Sequence, residues 1–84
     1  MRIKLYQRVA LTKDLPEYDL HKGDVAVVVE HLPATPAGQG EDRYALEVFN
    51  AVGETMAVIM VPASAVQPLT EDQILQVRSL STTK

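Results

Sequence analysis

The sequence predicts a mainly β domain: four main strands and a short fifth, curled into a small barrel, followed by a short C-terminal helix. Three observations lead there. The chain has 84 residues, enough for one domain whose thin core removes about 60% of the unfolded surface from water. Over most of its length the apolar residues alternate with period two or form short runs rich in β-branched side chains. Only the last segment places apolar residues at helical spacing behind a cap signature. A chain this short cannot build two full sheets, and curling one twisted sheet buries one face and hides the edges. The expected division is a barrel over residues 1–69 and a helical tail over 70–84.

The elements follow in order. In residues 5–11, Leu5, Gln7, Val9 and Leu11 share one face, and this mostly apolar set marks a half-buried strand. Residues 12–23 are polar and irregular; Pro16 bars a helix, and Leu15, Tyr18 and Leu20 are expected to pin the loop to the core. Gly23 is the expected carrier of positive φ in the turn before residues 25–32, the strongest strand, whose first five residues are apolar without alternation. Residues 33–42 form a connection rich in proline and glycine, within which Gly38-Gln39-Gly40 reads as loop chemistry. A third strand over 43–50 and a fourth over 55–61 flank a hairpin containing Gly53. Pro62 stops the fourth strand, residues 63–65 make one turn, and 66–69 close the sheet. Thr70 and Gln73 form a capping signature for a helix over 71–80, with Ile74, Leu75, Val77 and Leu80 at helical spacing.

Composition excludes several classes. There is no cysteine, so neither a disulfide framework nor a thiolate metal site can form. A small secreted domain usually needs such staples, so a cytoplasmic location is expected. No apolar run approaches the ~18 residues of a membrane span, and the first eight residues lack the apolar stretch of a signal peptide. With a net charge of -3 and a pI of 5.2, binding of nucleic acid through phosphate neutralisation is disfavoured.

Several segments carry a family likeness: Leu5-Tyr6-Gln7-Arg8-Val9-Ala10-Leu11, Asp14-Leu15-Pro16-Glu17-Tyr18, Leu20-His21-Lys22-Gly23-Asp24-Val25, Tyr44 with Glu47-Val48, Gly53-Glu54-Thr55-Met56-Ala57-Val58 and Val66-Gln67-Pro68-Leu69. Over roughly residues 3–69 this pattern resembles the small bacterial family catalogued as domain of unknown function 4926. The resemblance implies an SH3-like small barrel of five strands with no assigned catalytic activity, in stand-alone accessory proteins, some encoded beside toxin-like genes. Ala26, where similar sequences often carry glycine, and the longer 33–42 loop depart from the pattern.

Candidate chemistry is sparse. His21 and His31 stand ten positions apart with no third ligand at a recognisable spacing, so no metal site is expected. Asp14, Glu17, Asp19 and Asp24 lack the spacing of a cation loop and read as a solvated charged loop. No nucleophile-elbow or phosphate-loop motif is present. The apolar strands are the most informative feature. In a barrel only one of the two sets Val25, Val27, Val29 and Ala26, Val28 can face inward, and likewise only one of Met56, Val58, Met60 and Ala57, Ile59, Val61. The remainder would leave an exposed patch of several hundred Å², to be covered by the C-terminal helix or by another subunit.

The expected function is therefore a non-enzymatic interaction module that needs no cofactor. It would form a homo-oligomer (a dimer or tetramer) and bind a protein partner encoded nearby, using Met56, Val58, Met60, Ile74, Val77 and Leu80 as its surface. Tyr18, Asp24, His31 and Tyr44 are candidates for a partner or ligand loop. One alternative is a nucleic-acid-binding barrel of ribosomal type with Arg2, Lys4, Arg8 and Arg43 gathered on one side, Tyr6 beside Arg8. A second is an enzyme or ligand-binding protein with a site between subunits around Asp24, His31, Glu47 and Tyr44.

Overall fold

A computed structural model describes residues 3–34 and 40–79. Among these residues five strands form one antiparallel sheet: β1 (Arg8–Leu11), β2 (Val25–Leu32), β3 (Arg43–Phe49), β4 (Thr55–Pro62) and β5 (Val66–Pro68), in the order β4-β3-β2-β1-β5. Short 3-10 turns lie at Pro16–Tyr18 and Ala63–Ala65. No described helix is long and apolar enough to cross a membrane.

The mainly β, five-stranded expectation holds, but the sheet does not close into a barrel. Closure needs a ladder between β4 and β5, and β5 has only three residues, all paired to β1 through Val9↔Pro68, Ala10↔Gln67 and Leu11↔Val66. Pro62 and Pro68 have no N–H to offer. The turn after β4 carries the chain across to the far edge, tied down where Thr12 N–H donates to the Ala65 carbonyl at 2.8 Å and Ala63 N–H to that of Asp42 at 2.8 Å.

Bulges account for one apolar residue on each of the two-sided strands. Val28 pairs with Leu46 but Glu30 pairs with Ala45, so Val29 is an extra residue on β2. The slip restores an inward position at His31, opposite Tyr44, after Ala26 and Val28. On β4, Val48↔Ala57 is followed by Phe49↔Thr55, which leaves Met56 as the extra residue. Val9, Leu11, Val28, Leu46, Ile59, Val61 and Val66 form the centre of the core, with Leu15 and Leu20 beneath the first loop. Leu15 and Leu20 exchange backbone bonds of 2.9 and 3.1 Å, which pins the loop as expected, while Tyr18 stays exposed.

The first strand is shorter than its pattern. Lys4 N–H donates to Gln7 Oε1 at 2.9 Å, and Tyr6 adopts a left-handed φ of 65°, so the chain turns before Arg8. Leu5 is turned outward and Ile3 is buried instead.

Among the described residues the C-terminal helix is absent. Its capping contact does form: Thr70 N–H donates to Gln73 Oε1 at 2.8 Å, and Gln73 N–H donates to the Thr70 carbonyl at 3.1 Å. The helix fails to propagate beyond that turn. An isolated helix of about ten residues is marginal in water, and this one would carry β-branched Ile74 and Val77 with no face to bury them against. Residues 74–79 instead form a non-helical arm that delivers Arg78 to Asp24.

Candidate functional site

Two places on the domain have the makings of a site. The first is the β4 edge of the sheet. Among the described residues β4 has a ladder to β3 alone, so one of its sides carries unpaired backbone groups. Ile59 and Val61 point into the core, while Met56, Val58 and Met60 are 47%, 62% and 38% exposed. From Thr55 to Pro62 the strand holds no charged residue. Edge strands are ordinarily guarded by charges, prolines, bulges or shortness; here the bulge at Met56 and Pro62 guard only the ends.

Among the described strands, the exposed apolar side chains concentrate on this edge. Across the outer face, Val58 lies opposite Glu47, Glu47 opposite Val27, and Val27 opposite Arg8, so charge begins one strand in. Glu47 is itself engaged, accepting from Thr55 Oγ1 at 2.5 Å. Val25, Val27 and Val29 are half-buried rather than bare. The surplus apolar surface of the strands thus falls on β4, extended at the hairpin by exposed Phe49 and Val52.

The second place is a cleft of about 340 Å³ between the arm and the sheet, lined by Ala10, residues 22–25 and Leu69 on one side and residues 73–78 on the other. Gly23, with φ 94°, makes the turn that aims Asp24 at it. The Asp24 carboxylate accepts from His21 N–H at 2.7 Å, from Arg78 Nε at 2.8 Å and from Arg78 Nη2 at 2.5 Å. Arg78 Nη2 also reaches the Asp19 carbonyl at 3.3 Å. Burial alone would raise the Asp24 pKa, but the Arg78 fork and the His21 amide outweigh it and hold the carboxyl below its usual 3.8. The same contact raises the Arg78 guanidinium further above its ordinary value.

At the far end of β2, His31 stacks on Tyr44 with ring centroids 5.1 Å apart, and its Nε2 lies 2.9 Å from Asp42 Oδ2. Asp42 Oδ1 accepts from Ala34 N–H at 2.8 Å. That amide, and then His31, lower the Asp42 pKa. Both depressed carboxylates stabilise the fold above the ordinary carboxylate pKa, and the contribution is lost as pH falls through their folded values. Acidification below about pH 4 is therefore expected to release the arm and loosen the base of the 33–42 loop. Amide spectra recorded on descending pH will report it as changes at His21 and Ala34 that precede global unfolding; changes simultaneous with unfolding would contradict it.

The candidate residues are distributed as follows. Met56, Val58 and Met60 share the β4 edge. Ile74 and Val77 lie on the arm beside the cleft, and Leu80 is outside the described residues. Of Tyr18, Asp24, His31 and Tyr44, only His31 and Tyr44 come together; Glu47, three residues beyond Tyr44 on β3, belongs to the outer face, so the four-residue ligand set does not converge. Arg8 pairs with Val27 and Arg43 with Leu32, well separated along β2, so these two arginines do not meet; Arg2 and Gly38-Gln39 are outside the described residues. Among those residues no three or more His, Asp or Glu are placed to hold a metal ion. Arg78 is the residue that sequence reasoning passed over; its signal was a lone charge in an otherwise uncharged run from 73 to 83.

Fold and site together define a small all-β domain with one unguarded sheet edge and a strapped cleft. The chain belongs to the family described as Domain of unknown function (DUF4926), whose profile matches residues 5–68. No curated protein and no solved structure matches it.

Proposed function

We propose that the domain is a non-enzymatic, cytoplasmic interaction module that pairs with a second copy of itself through the free edge of β4 and presents the joined sheet to a protein partner. The observation that carries this reading is the uncharged, unpaired β4 edge with Met56, Val58 and Met60 exposed along it. Antiparallel pairing of β4 with its own copy about a two-fold axis is isologous. It supplies partners for the free backbone groups and brings the two apolar stripes together. The outward side chains then lie side by side on one face, so pairing covers part of each stripe and adds the new backbone bonds to that burial.

Hydrogen exchange tests this directly. The β4 amides on the outer edge are expected to exchange slowly at high protein concentration and rapidly on dilution, while β3 amides do not change. Fast exchange along that edge at every concentration contradicts the pairing.

A further inference from the structure

We infer that the C-terminal arm is exchanged between copies of the chain, so that Arg78 of one copy occupies the Asp24 cleft of another. The inference stands on the arm and cleft and goes beyond the β4 contact.

Four observations carry it. First, the Asp24 end of the cleft is built for an arginine: a carboxylate held at 19% side-chain exposure, oriented by the His21 amide, with the Asp19 carbonyl beside it. The arm of this chain is the described segment with that chemistry. Second, the hold in cis is slight. Beyond its own turn, the described arm meets the body by hydrogen bonds only through Arg78, and its described backbone makes no bond to the sheet. Third, the arm gains little burial where it lies: Ile74 is 88% and Val77 98% exposed. Fourth, a hinge exists. The single turn at Thr70–Gln73, closed by one backbone bond, the Gln73 side chain and the bond from the Thr70 hydroxyl to Asp72, lies outside β5, whose last residue is Pro68.

Exchange preserves the Arg78 fork and adds contacts. Two arms crossing about a two-fold axis run antiparallel, so their unpaired backbones pair and Ile74 and Val77 of each cover the other. The cis contact keeps an advantage of effective concentration, so exchange is favoured as protein concentration rises.

The test uses complementary charge reversals. Asp24→Arg and Arg78→Asp are each made in a chain also carrying Val58→Lys, which silences the β4 edge. Alone, each variant sets like charges at positions 24 and 78 and loses the clasp. Mixed, the arginine at position 24 of one copy meets the aspartate introduced at position 78 of the other, and native Asp24 meets native Arg78. With one variant isotope-labelled, native mass spectrometry is expected to find the mixed dimer well above its statistical share. Its absence, or only the statistical share, overturns the exchange while leaving the β4 reading intact. A second measurement keeps the clasp native. The chain has no cysteine, so a spin label at Ser79→Cys on an unlabelled copy is expected to broaden the Gly23 and Asp24 amides of a ¹⁵N-labelled wild-type copy. Sharp amides in that mixture overturn the inference equally.

Discussion

Replacing Val58 with lysine is expected to weaken self-association more than a hundredfold while leaving the fold intact. Val58 is 62% exposed and stands near the middle of β4, so the substitution opens no core cavity. In the paired state each copy would lose its share of apolar contact and bring a lysine close to its symmetry mate. Lost burial of about 100 Å² per copy amounts to ~5 kcal/mol for the pair, and a charge at a sheet edge is the device by which proteins block edge pairing. A loss of even 3 kcal/mol exceeds a hundredfold in the dissociation constant. In an Arg78→Ala background, which removes the arm contact, sedimentation velocity will report a monomer for Val58→Lys across the accessible range, with an unchanged far-ultraviolet spectrum. A variant that sediments like the wild type rules out the β4 edge as the contact.

Leu46→Ala is expected to have the largest effect on stability. Leu46 is fully buried, paired to Val28 on one side and Ile59 on the other, at the crossing of the three longest strands. Truncating a leucine in such a site costs about 2–5 kcal/mol through lost transfer energy and the cavity left behind. A domain of this size has roughly 4–12 kcal/mol in total, so the variant loses a large fraction of its stability and its melting temperature falls by more than 10 °C. Urea denaturation below the association range will measure it. Val77→Ala is the control: at 98% exposure it is expected to shift stability by less than about 0.5 kcal/mol. Equal effects from the two substitutions would displace the core from the centre of β2, β3 and β4.

What could be read from residues alone follows the range of the interactions involved. β3 and β4 were accessible because their turn chemistry is local: Asn50 Oδ1 caps Val52 and Glu54 at 3.1 and 2.9 Å, and Gly53 takes φ 88°. The run Val27-Val28-Val29 announced a deeply set strand, yet the bulge at Val29 that reconciles it with a single-sided sheet has no glycine or other local mark. The capping signature at Thr70 and Gln73 was genuine as a turn. The chain's course beyond it depends on a salt bridge between residues 54 positions apart, which periodicity cannot detect. The same non-locality hid the open edge: alternation says which residues share a face, but whether β4 meets β5 turns on β5 being short and on Pro62 and Pro68 lacking an N–H.

Light scattering on the wild-type chain across a dilution series tests the central claim most directly. The β4 edge predicts a weight-average mass that rises from the 9.2 kDa of one chain toward twice that value or more through the micromolar range. A mass that stays at 9.2 kDa from nanomolar to the highest soluble concentration would contradict it.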